Sequence, residues 1–130
     1  MRTLTIGDIH GGLKALIQCL SRSSYDAKKD KLIFLGDYVD GWSESPELIE
    51  FLIELQNEST EEIIFIRGNH DKWCHDWLMS GKANKIWIAN GGSLTMESYT
   101  KTGLLVESTH REFFTNLKDY YIDSNNRGFV

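Results

Sequence analysis

The sequence is poor in proline, cysteine and positive charge, and it has no long hydrophobic run. A single proline in 130 residues excludes a proline-rich or collagen-like chain. The 14 basic and 19 acidic residues give a net charge of -5, which offers no general attraction to nucleic acid or to an anionic membrane surface. No stretch approaches the ~20 apolar residues of a membrane span, and the chain turns acidic at Asp8, too early for the apolar core of a signal peptide. We therefore expect a cytoplasmic protein that binds neither nucleic acid nor membrane.

The two cysteines and the composition indicate one reduced, packed domain. Cys19 and Cys74 are far apart and lack Cys-x-x-Cys spacing, so we expect two buried thiols rather than a disulfide or a zinc site. The composition is 41% hydrophobic and 25% charged, which is enough apolar material for a core and too little charge bias for a disordered chain. At about 100–200 residues per domain, residues 1–130 are expected to form one domain.

Three short apolar runs predict β-strands, and two amphipathic segments between them predict helices. The runs are residues 4–6, 32–35 and 63–66. Each leads into a glycine within two residues, as is typical of strands buried on both faces of a parallel sheet. Leucine and isoleucine recur at helical spacing over residues 13–20, and Ser45 with Pro46 predicts the N-cap and first turn of a second helix. The alternation predicts an α/β fold with a mostly parallel sheet and crossover helices.

The chain after the third strand is mostly helical in pattern. A helix is expected over residues 70–79, and the Asn-Gly-Gly-Ser of residues 90–93 predicts a turn. Thr109 and Glu112 have the spacing of a capping box, which predicts the N-terminus of a further helix. Residues 127–130 have the pattern of a strand at its beginning.

Two histidines and three tryptophans are expected to have structural positions, on the surface or in the core. His75 and His110 fall within predicted helices, where we expect solvated or surface positions. Trp42, Trp73 and Trp77 could line a substrate cleft, but aromatic residues beside a sheet more often belong to the core. None of the five is placed in the candidate site.

Polar residues are concentrated directly after the three predicted strands. The clusters are Gly7-Asp8-Ile9-His10-Gly11, Gly36-Asp37-Tyr38-Val39-Asp40 and Gly68-Asn69-His70-Asp71. Ligands bind at the carboxyl ends of the strands in an open parallel sheet, so these loops should meet at one edge. Alone, the first cluster could be a tight turn and the third a helix N-cap. Three such clusters after three strands point instead to a metal site.

The residue types in these clusters suit a divalent metal. Asp8 and His10, two positions apart on an extended segment, would point the same way and offer one oxygen and one nitrogen ligand. Asp37 can bridge two metals with its two oxygens, and Asn69 offers a neutral amide oxygen. The sequence therefore predicts these four residues as metal ligands.

The three motifs resemble those of the calcineurin-like metallophosphoesterases, in particular the branch of serine/threonine phosphoprotein phosphatases and diadenosine tetraphosphate hydrolases. The resemblance covers about residues 1–80, with all three motifs in order. It implies the first half of an αββα sandwich with two divalent metal ions, manganese first, with iron or zinc as alternatives. On this resemblance Asp8 and His10 would hold the first metal, Asp37 would bridge, and Asn69 would hold the second.

The same resemblance implies three catalytic residues. His70 would be the general acid for the leaving alkoxide, Asp40 would hold His70 in its tautomer, and Arg67 would contact the phosphate. Two metals clamp phosphoryl oxygens and lower the pKa of a shared water, so a metal-bound hydroxide can attack without a nucleophilic serine or cysteine. These roles predict a metal-dependent phosphoester hydrolase.

The chain departs from that branch at two positions and at its end. Gly41 stands where the protein phosphatases have a second arginine, and Asp71 stands where they have glutamate. The family takes further histidine ligands from its C-terminal half, whereas this chain ends at Val130, so we expect a truncated domain with an incomplete dinuclear site that self-associates. The leading hypothesis is a protein-phosphatase-like phosphomonoesterase acting on a phosphoprotein. The alternatives are a hydrolase of dinucleoside polyphosphates or another small phosphoester, and an inactive truncated fragment.

Overall fold

A three-stranded parallel sheet forms the centre of the fold. Its strands are β1 (Arg2–Ile6), β2 (Asp30–Phe34) and β3 (Ile64–Phe65), in the order β1-β2-β3. This computed structural model describes residues 1–130, with the exception of the Val106 side chain. The register pairs Leu4 with Leu32 and Ile33 with Ile64. The carboxyl ends of all three strands therefore lie at the same edge.

Two helices connect the parallel strands. The first, α1 (Leu13–Arg22), joins β1 to β2, and the second, α2 (Ser45–Glu58), joins β2 to β3. The apolar stripe of α2, with Leu48, Ile49 and Leu52, is fully buried. The prediction of an α/β fold with a parallel sheet and crossover helices is confirmed.

Helices α3 (Asn69–Ser80), α4 (Lys85–Trp87), α5 (Ser93–Thr102) and α6 (Ser108–Thr115) follow β3. A π-helical turn, Ile88–Gly92, joins α4 to α5, and a 3₁₀ turn, Leu104–Val106, precedes α6. The left-handed Gly81, with φ of 74°, ends α3 close to the predicted position. The predicted turn at residues 90–93 is a kink between α4 and α5, with φ of 105° at Gly91.

A short antiparallel hairpin lies at the end of the chain. β4 (Tyr121–Ile122) pairs with β5 (Gly128–Phe129), so the strand expected within residues 127–130 is confirmed. Ile66, which follows β3, forms an isolated parallel bridge with Lys118. The segment that leads into the hairpin therefore lies along the end of β3.

The core has two parts, one on each face of the sheet. The larger part lies between the sheet and the helices, and its largest fully buried side chains are Phe34, Tyr38, Trp87, Tyr99 and Phe114. The smaller part consists of Ile33, Ile64 and Ile66, with Tyr121 and Phe129 packed against them. Side chains alternate along β2, so Phe34 and Ile33 contribute to opposite faces. The hairpin thus covers part of the face that the helices leave open.

Both predicted helix caps are wrong, because each helix begins earlier than expected. α2 begins at Ser45 itself with Glu44 as its N-cap, and Ser45 Oγ accepts a hydrogen bond from the Asp40 N–H at 3.1 Å. α6 begins at Ser108, one residue before Thr109, and no side chain caps it. Neither error changes which segments are helical.

Three predictions of burial are also wrong. Cys19 is exposed, because Leu16 and Leu20 occupy the buried stripe of α1, although neither it nor Cys74 forms a disulfide. Trp42 is 70% exposed instead of lying in the core. His110 is fully buried instead of lying on the surface, because its two ring nitrogens contact Tyr99 and Glu50.

The burial of the remaining two tryptophans and of His75 is closer to the prediction. Trp77 is buried, Trp73 is half-buried, and His75 is half-buried on α3 with Nε2 3.1 Å from Thr115 Oγ1. Among the described residues, no helix has both the length and the apolar character needed to cross a membrane.

Candidate metal centre

The loops that follow β1, β2 and β3 are in direct contact with one another. The N–H groups of Ile9 and His10 both donate to the Asp37 carbonyl oxygen, at 3.1 and 2.9 Å. Gly68, at the end of the third loop, lies so close to the second loop that a Cβ atom there would be 2.1 Å from Asp37 Oδ1. The three polar clusters therefore meet at one edge of the sheet.

Asp8, His10 and Asp37 form one group of potential metal ligands. One ligand atom from each lies within 4.8 Å of the others, and His10 Nε2 is 3.5 Å from Asp8 Oδ2. The expected extended segment is absent from this loop as described, because β1 ends at Ile6 and His10 has φ of 48°. A left-handed turn, and not strand alternation, brings the three side chains together.

His10 is oriented to offer its Nε2 atom to a metal. Its Nδ1 lies 2.8 Å from the Val39 carbonyl oxygen, which only accepts hydrogen bonds, so Nδ1 carries the proton. Nε2 then keeps its lone pair. Histidines that bind metals are commonly held in this way by a hydrogen bond from their other ring nitrogen. The donor set of two carboxylates and one imidazole therefore fits a divalent ion such as manganese, iron or zinc.

Three of these loop residues have left-handed backbone conformations. The φ angle is 48° at His10, 55° at Asp37 and 73° at Asp40. Such conformations are uncommon outside glycine, cost on the order of 1–3 kcal/mol each, and concentrate at functional sites. The loops after β1 and β2 are therefore shaped at an energetic cost that the surrounding contacts must offset.

His70 and Asp40 form a close pair beside the ligand group. His70 Nδ1 lies 2.7 Å from Asp40 Oδ2, and the Asp40 side chain is 1% exposed. The His70 ring centroid is 5.0 Å from that of His10. Because Nδ1 faces Asp40, Nε2 of His70 lies on the other side of the ring and is available to a ligand.

Asp71 is a buried carboxylate that ties the second loop to the third. Its oxygens accept hydrogen bonds from the N–H groups of Asp37 at 2.7 Å, Tyr38 at 2.9 Å and Gly68 at 2.9 Å. Burial raises the pKa of the Asp71 carboxyl to about 7, while the three backbone donors act in the opposite direction. Asp71 thus fixes the backbone at Asp37 without itself joining the ligand group.

Asn69 and Arg67 flank the group, and their surroundings differ. Asn69 is the exposed first residue of α3, and the N–H of the adjacent His70 donates to Asp37 Oδ1 at 3.2 Å. Arg67 follows β3, and its guanidinium pairs with Asp119. Contact between Arg67 and a phosphate stays a prediction, and it requires the guanidinium to turn from Asp119 to the substrate.

Trp87 and Thr95 contact Asp40, and sequence reasoning did not identify them. Trp87 Nε1 donates to Asp40 Oδ2 at 2.6 Å, and Thr95 Oγ1 donates to Oδ1. The available signal was the glycine pair in the predicted turn at residues 90–93. A Cβ atom on Gly91 would lie 3.1 Å from Asp40 Cβ. The turn therefore approaches the site closely, which becomes visible only once the fold is known.

A second metal ion has fewer ligands in the described part of the chain. Asp37 and Asn69 are its predicted ligands, and the structure groups no further histidine, cysteine or acidic residue with Asp8, His10 and Asp37 among the side chains it describes. Tightly bound transition metals commonly have about four ligands. If these residues bind metals as predicted, they supply most of the ligands for one ion and part of those for a second.

Known proteins share sequence motifs with this chain. The sequence profile described as "Calcineurin-like phosphoesterase" matches residues 1–127. The symmetrical bis(5'-nucleosyl)-tetraphosphatase of Marinomonas sp. (strain MWYL1) is 39% identical over 71 residues, which are 55% of this chain and 24% of that protein. Serine/threonine-protein phosphatase 1 of Salmonella typhimurium is 30% identical over 87 residues, which are 67% of this chain and 37% of that protein.

A solved structure shares the fold. The metallophosphoesterase of Sphaerobacter thermophilus superposes with a TM-score of 0.61 at 26% identity, covering 95% of this chain and 43% of that one. The chain spans less than half the length of each of these three proteins. The profile match extends over nearly the whole chain and agrees with the structural match. The chain therefore belongs to the calcineurin-like phosphoesterase family.

Proposed function

We propose that this chain carries the centre of a metal-dependent phosphoester hydrolase that acts on phosphomonoesters, with phosphoserine and phosphothreonine as the first candidates. The observation that supports this most is the position of the His70–Asp40 pair beside the Asp8, His10 and Asp37 ligand atoms, which lie within 4.8 Å of one another. This arrangement supports a mechanism in which His70 acts as a proton donor beside a metal that binds phosphate.

The ligand group would hold the metal ions through its oxygen and nitrogen atoms. Asp8 Oδ, His10 Nε2 and one Asp37 oxygen would bind the first ion, and the second Asp37 oxygen with Asn69 would bind a further ion. Divalent metals, when bound, supply positive charge that stabilises a phosphoryl group under attack by water. Manganese is the first candidate metal, with iron or zinc as alternatives, because carboxylate-rich sites with an imidazole suit all three.

His70 would donate a proton to the leaving oxygen of the substrate. Its Nδ1 is engaged by Asp40 at 2.7 Å, so Nε2 is the nitrogen that can reach a ligand. General acid catalysis of this kind contributes roughly 10²–10⁴ in rate. Arg67, once released from Asp119, would contact the phosphate with its guanidinium.

A second candidate function is hydrolysis of dinucleoside polyphosphates. Two observations favour it: Gly41 replaces the second arginine of the protein phosphatases, and the next residue, Trp42, is 70% exposed. The backbone N–H of Trp42 donates to the His10 carbonyl oxygen at 2.8 Å. The exposed indole therefore belongs to a residue that is hydrogen-bonded to the loop carrying His10. An exposed indole is a suitable surface for stacking a nucleobase.

The test measures hydrolysis by the full chain with Mn²⁺ of three substrates: p-nitrophenyl phosphate, a phosphoserine peptide and diadenosine tetraphosphate. We expect slow metal-dependent release of phosphate from the first two, because the described residues supply only part of the second metal site, and Asp37→Asn should abolish it. Asp76→Asn is the matched control, because Asp76 is an exposed aspartate on α3 whose carboxylate pairs with Lys72.

Turnover of diadenosine tetraphosphate with no turnover of the phosphopeptide would favour the second candidate. Absence of metal-dependent hydrolysis of all three substrates, or full activity of Asp37→Asn, would contradict the proposed function.

A further inference from the structure

The Asp40 carboxylate accepts hydrogen bonds from two side chains, Trp87 and Thr95, in addition to its contact with His70. Oδ2 accepts a hydrogen bond from Trp87 Nε1 at 2.6 Å and lies 2.7 Å from His70 Nδ1, and Oδ1 accepts one from Thr95 Oγ1. The Asp40 N–H also donates to Ser45 Oγ at 3.1 Å. Asp40, Trp87 and Thr95 are each at most 1% exposed. Both carboxylate oxygens therefore have fixed protein partners.

The Trp87 and Thr95 contacts fix the position of the carboxylate that His70 contacts. An indole N–H can only donate, so Asp40 Oδ2 accepts from Trp87. A carboxylate only accepts hydrogen bonds, so His70 Nδ1, which contacts the same oxygen, carries the proton of that hydrogen bond. Thr95 fixes the rotation of the carboxylate by holding the other oxygen. By holding Asp40 in place, the two donors favour the neutral tautomer of His70 with the proton on Nδ1. The further proton that makes His70 a general acid is then bound at Nε2, the nitrogen that faces away from Asp40.

The local packing surrounds the Trp87 indole closely. A Cβ atom on Gly92 would lie 2.4 Å from Trp87 Cδ2, so only a glycine allows the chain to pass over the ring. Gly91 has φ of 105° and turns the chain toward Asp40. On its other side Trp87 packs against Trp77, with 5.7 Å between the ring centroids. The segment from α4 to α5 is thus built closely around Asp40.

We infer that Trp87 and Thr95 are positioning residues of the site: their hydrogen bonds hold Asp40 so that His70 presents Nε2 to the substrate. This inference rests on the proposed function for its catalytic meaning. The effect of these hydrogen bonds on the tautomer of His70 does not depend on activity. The tautomer and the effect on catalysis are therefore tested separately.

The first experiment measures the tautomer of His70 by ¹⁵N NMR of the full chain with labelled histidine, at a pH where the imidazole is neutral. His70→Asn assigns the signal. We expect the wild type to have the proton on Nδ1. In Trp87→Phe and in Thr95→Val the fraction protonated on Nε2 should rise about fivefold, which is the effect of one net hydrogen bond.

Two matched variants separate positioning from packing. Thr95→Ser keeps the hydroxyl donor and should restore the wild-type tautomer. Phe114→Leu removes volume from a fully buried side chain of the same core that packs against His75 and Phe113, so it should leave the tautomer unchanged. An unchanged His70 tautomer in both Trp87→Phe and Thr95→Val would overturn the inference, and so would an equal change in Phe114→Leu.

The second experiment compares two leaving groups in the presence of Mn²⁺. Phosphoserine needs protonation of its leaving oxygen, whereas p-nitrophenyl phosphate needs little. We expect Trp87→Phe and Thr95→Val to lower kcat for phosphoserine about tenfold more than for p-nitrophenyl phosphate. Equal losses on both substrates would remove the positioning role in catalysis. If the wild type hydrolyses neither substrate, the proposed function fails, and the tautomer experiment still decides whether Trp87 and Thr95 position His70.

Discussion

Replacing Gly68 with alanine tests how closely the loops hold the proposed metal ligands. The new Cβ atom would lie 2.1 Å from Asp37 Oδ1 and 2.6 Å from the Asp37 backbone nitrogen, whereas ordinary van der Waals contact begins at 3.4 Å. The φ of Gly68 is −89°, which suits alanine, so the effect arises from the close approach and not from backbone strain. Asp37 or the third loop must therefore move by roughly 1 Å.

Two magnitudes follow from this displacement. Overpacking of this kind costs about 1–3 kcal/mol of unfolding free energy, which leaves a domain of ordinary stability folded. Loss of the contacts that orient metal ligands typically costs about 10–100-fold in metal affinity. We therefore expect Gly68→Ala to weaken Mn²⁺ binding about 10–100-fold, measured by isothermal titration calorimetry, and to lower stability moderately, measured by urea denaturation.

Gly7→Ala is the matched control for this experiment. Gly7 lies next to Asp8, and a Cβ atom there would meet nothing within 4 Å. It should bind Mn²⁺ as the wild type does. Wild-type affinity in Gly68→Ala, or an equal loss in Gly7→Ala, would refute the reasoning that the close contact of the second and third loops sets the position of Asp37.

Two further predictions concern His110 and the two cysteines, which lie outside the proposed ligand group. His110→Leu leaves the buried Tyr99 hydroxyl without its partner, so we expect a loss of about 2–3 kcal/mol in urea denaturation, and the double variant with Tyr99→Phe should lose less than the sum of the two single variants. Additive losses would contradict this coupling. Cys19 is exposed and should react with a thiol reagent in the native chain, whereas Cys74 is fully buried, its thiol pKa is raised by burial, and it should react only after unfolding. Equal native reaction of both thiols would show that the burial described here is wrong.

The position of the candidate site could be predicted from sequence because its signals are local. A short apolar run followed by glycine and acidic residues marks the carboxyl end of a buried strand, and parallel strands bring such ends to one edge. The sequence pattern could not predict the backbone conformation of the loops. His10, Asp37 and Asp40 all have left-handed φ angles, and nothing in their residue types requires this.

The residues that sequence reasoning missed depend on long-range contacts. Trp87 and Thr95 are 47 and 55 positions from Asp40, and neither belongs to a recognisable motif. His110 was misplaced for a related reason. Its burial depends on Tyr99 in α5, a helix that was not predicted, so the inward face of α6 could not be identified. Helical periodicity indicates that a helix has an apolar face. It does not indicate which polar side chains of that helix find hydrogen-bond partners on neighbouring helices and can therefore be buried.

The most direct measurement of the proposed metal centre is electron spin echo envelope modulation of the chain loaded with Mn²⁺. This spectroscopy detects nitrogen bound to the metal. We expect ¹⁴N modulation in the wild type, its loss in His10→Gln, and its retention in His75→Gln, because His75 lies on α3 against Thr115 and outside the ligand group. A wild-type spectrum without nitrogen coupling, or coupling that persists in His10→Gln, would contradict the assignment of His10 Nε2 as a metal ligand and with it the proposed centre.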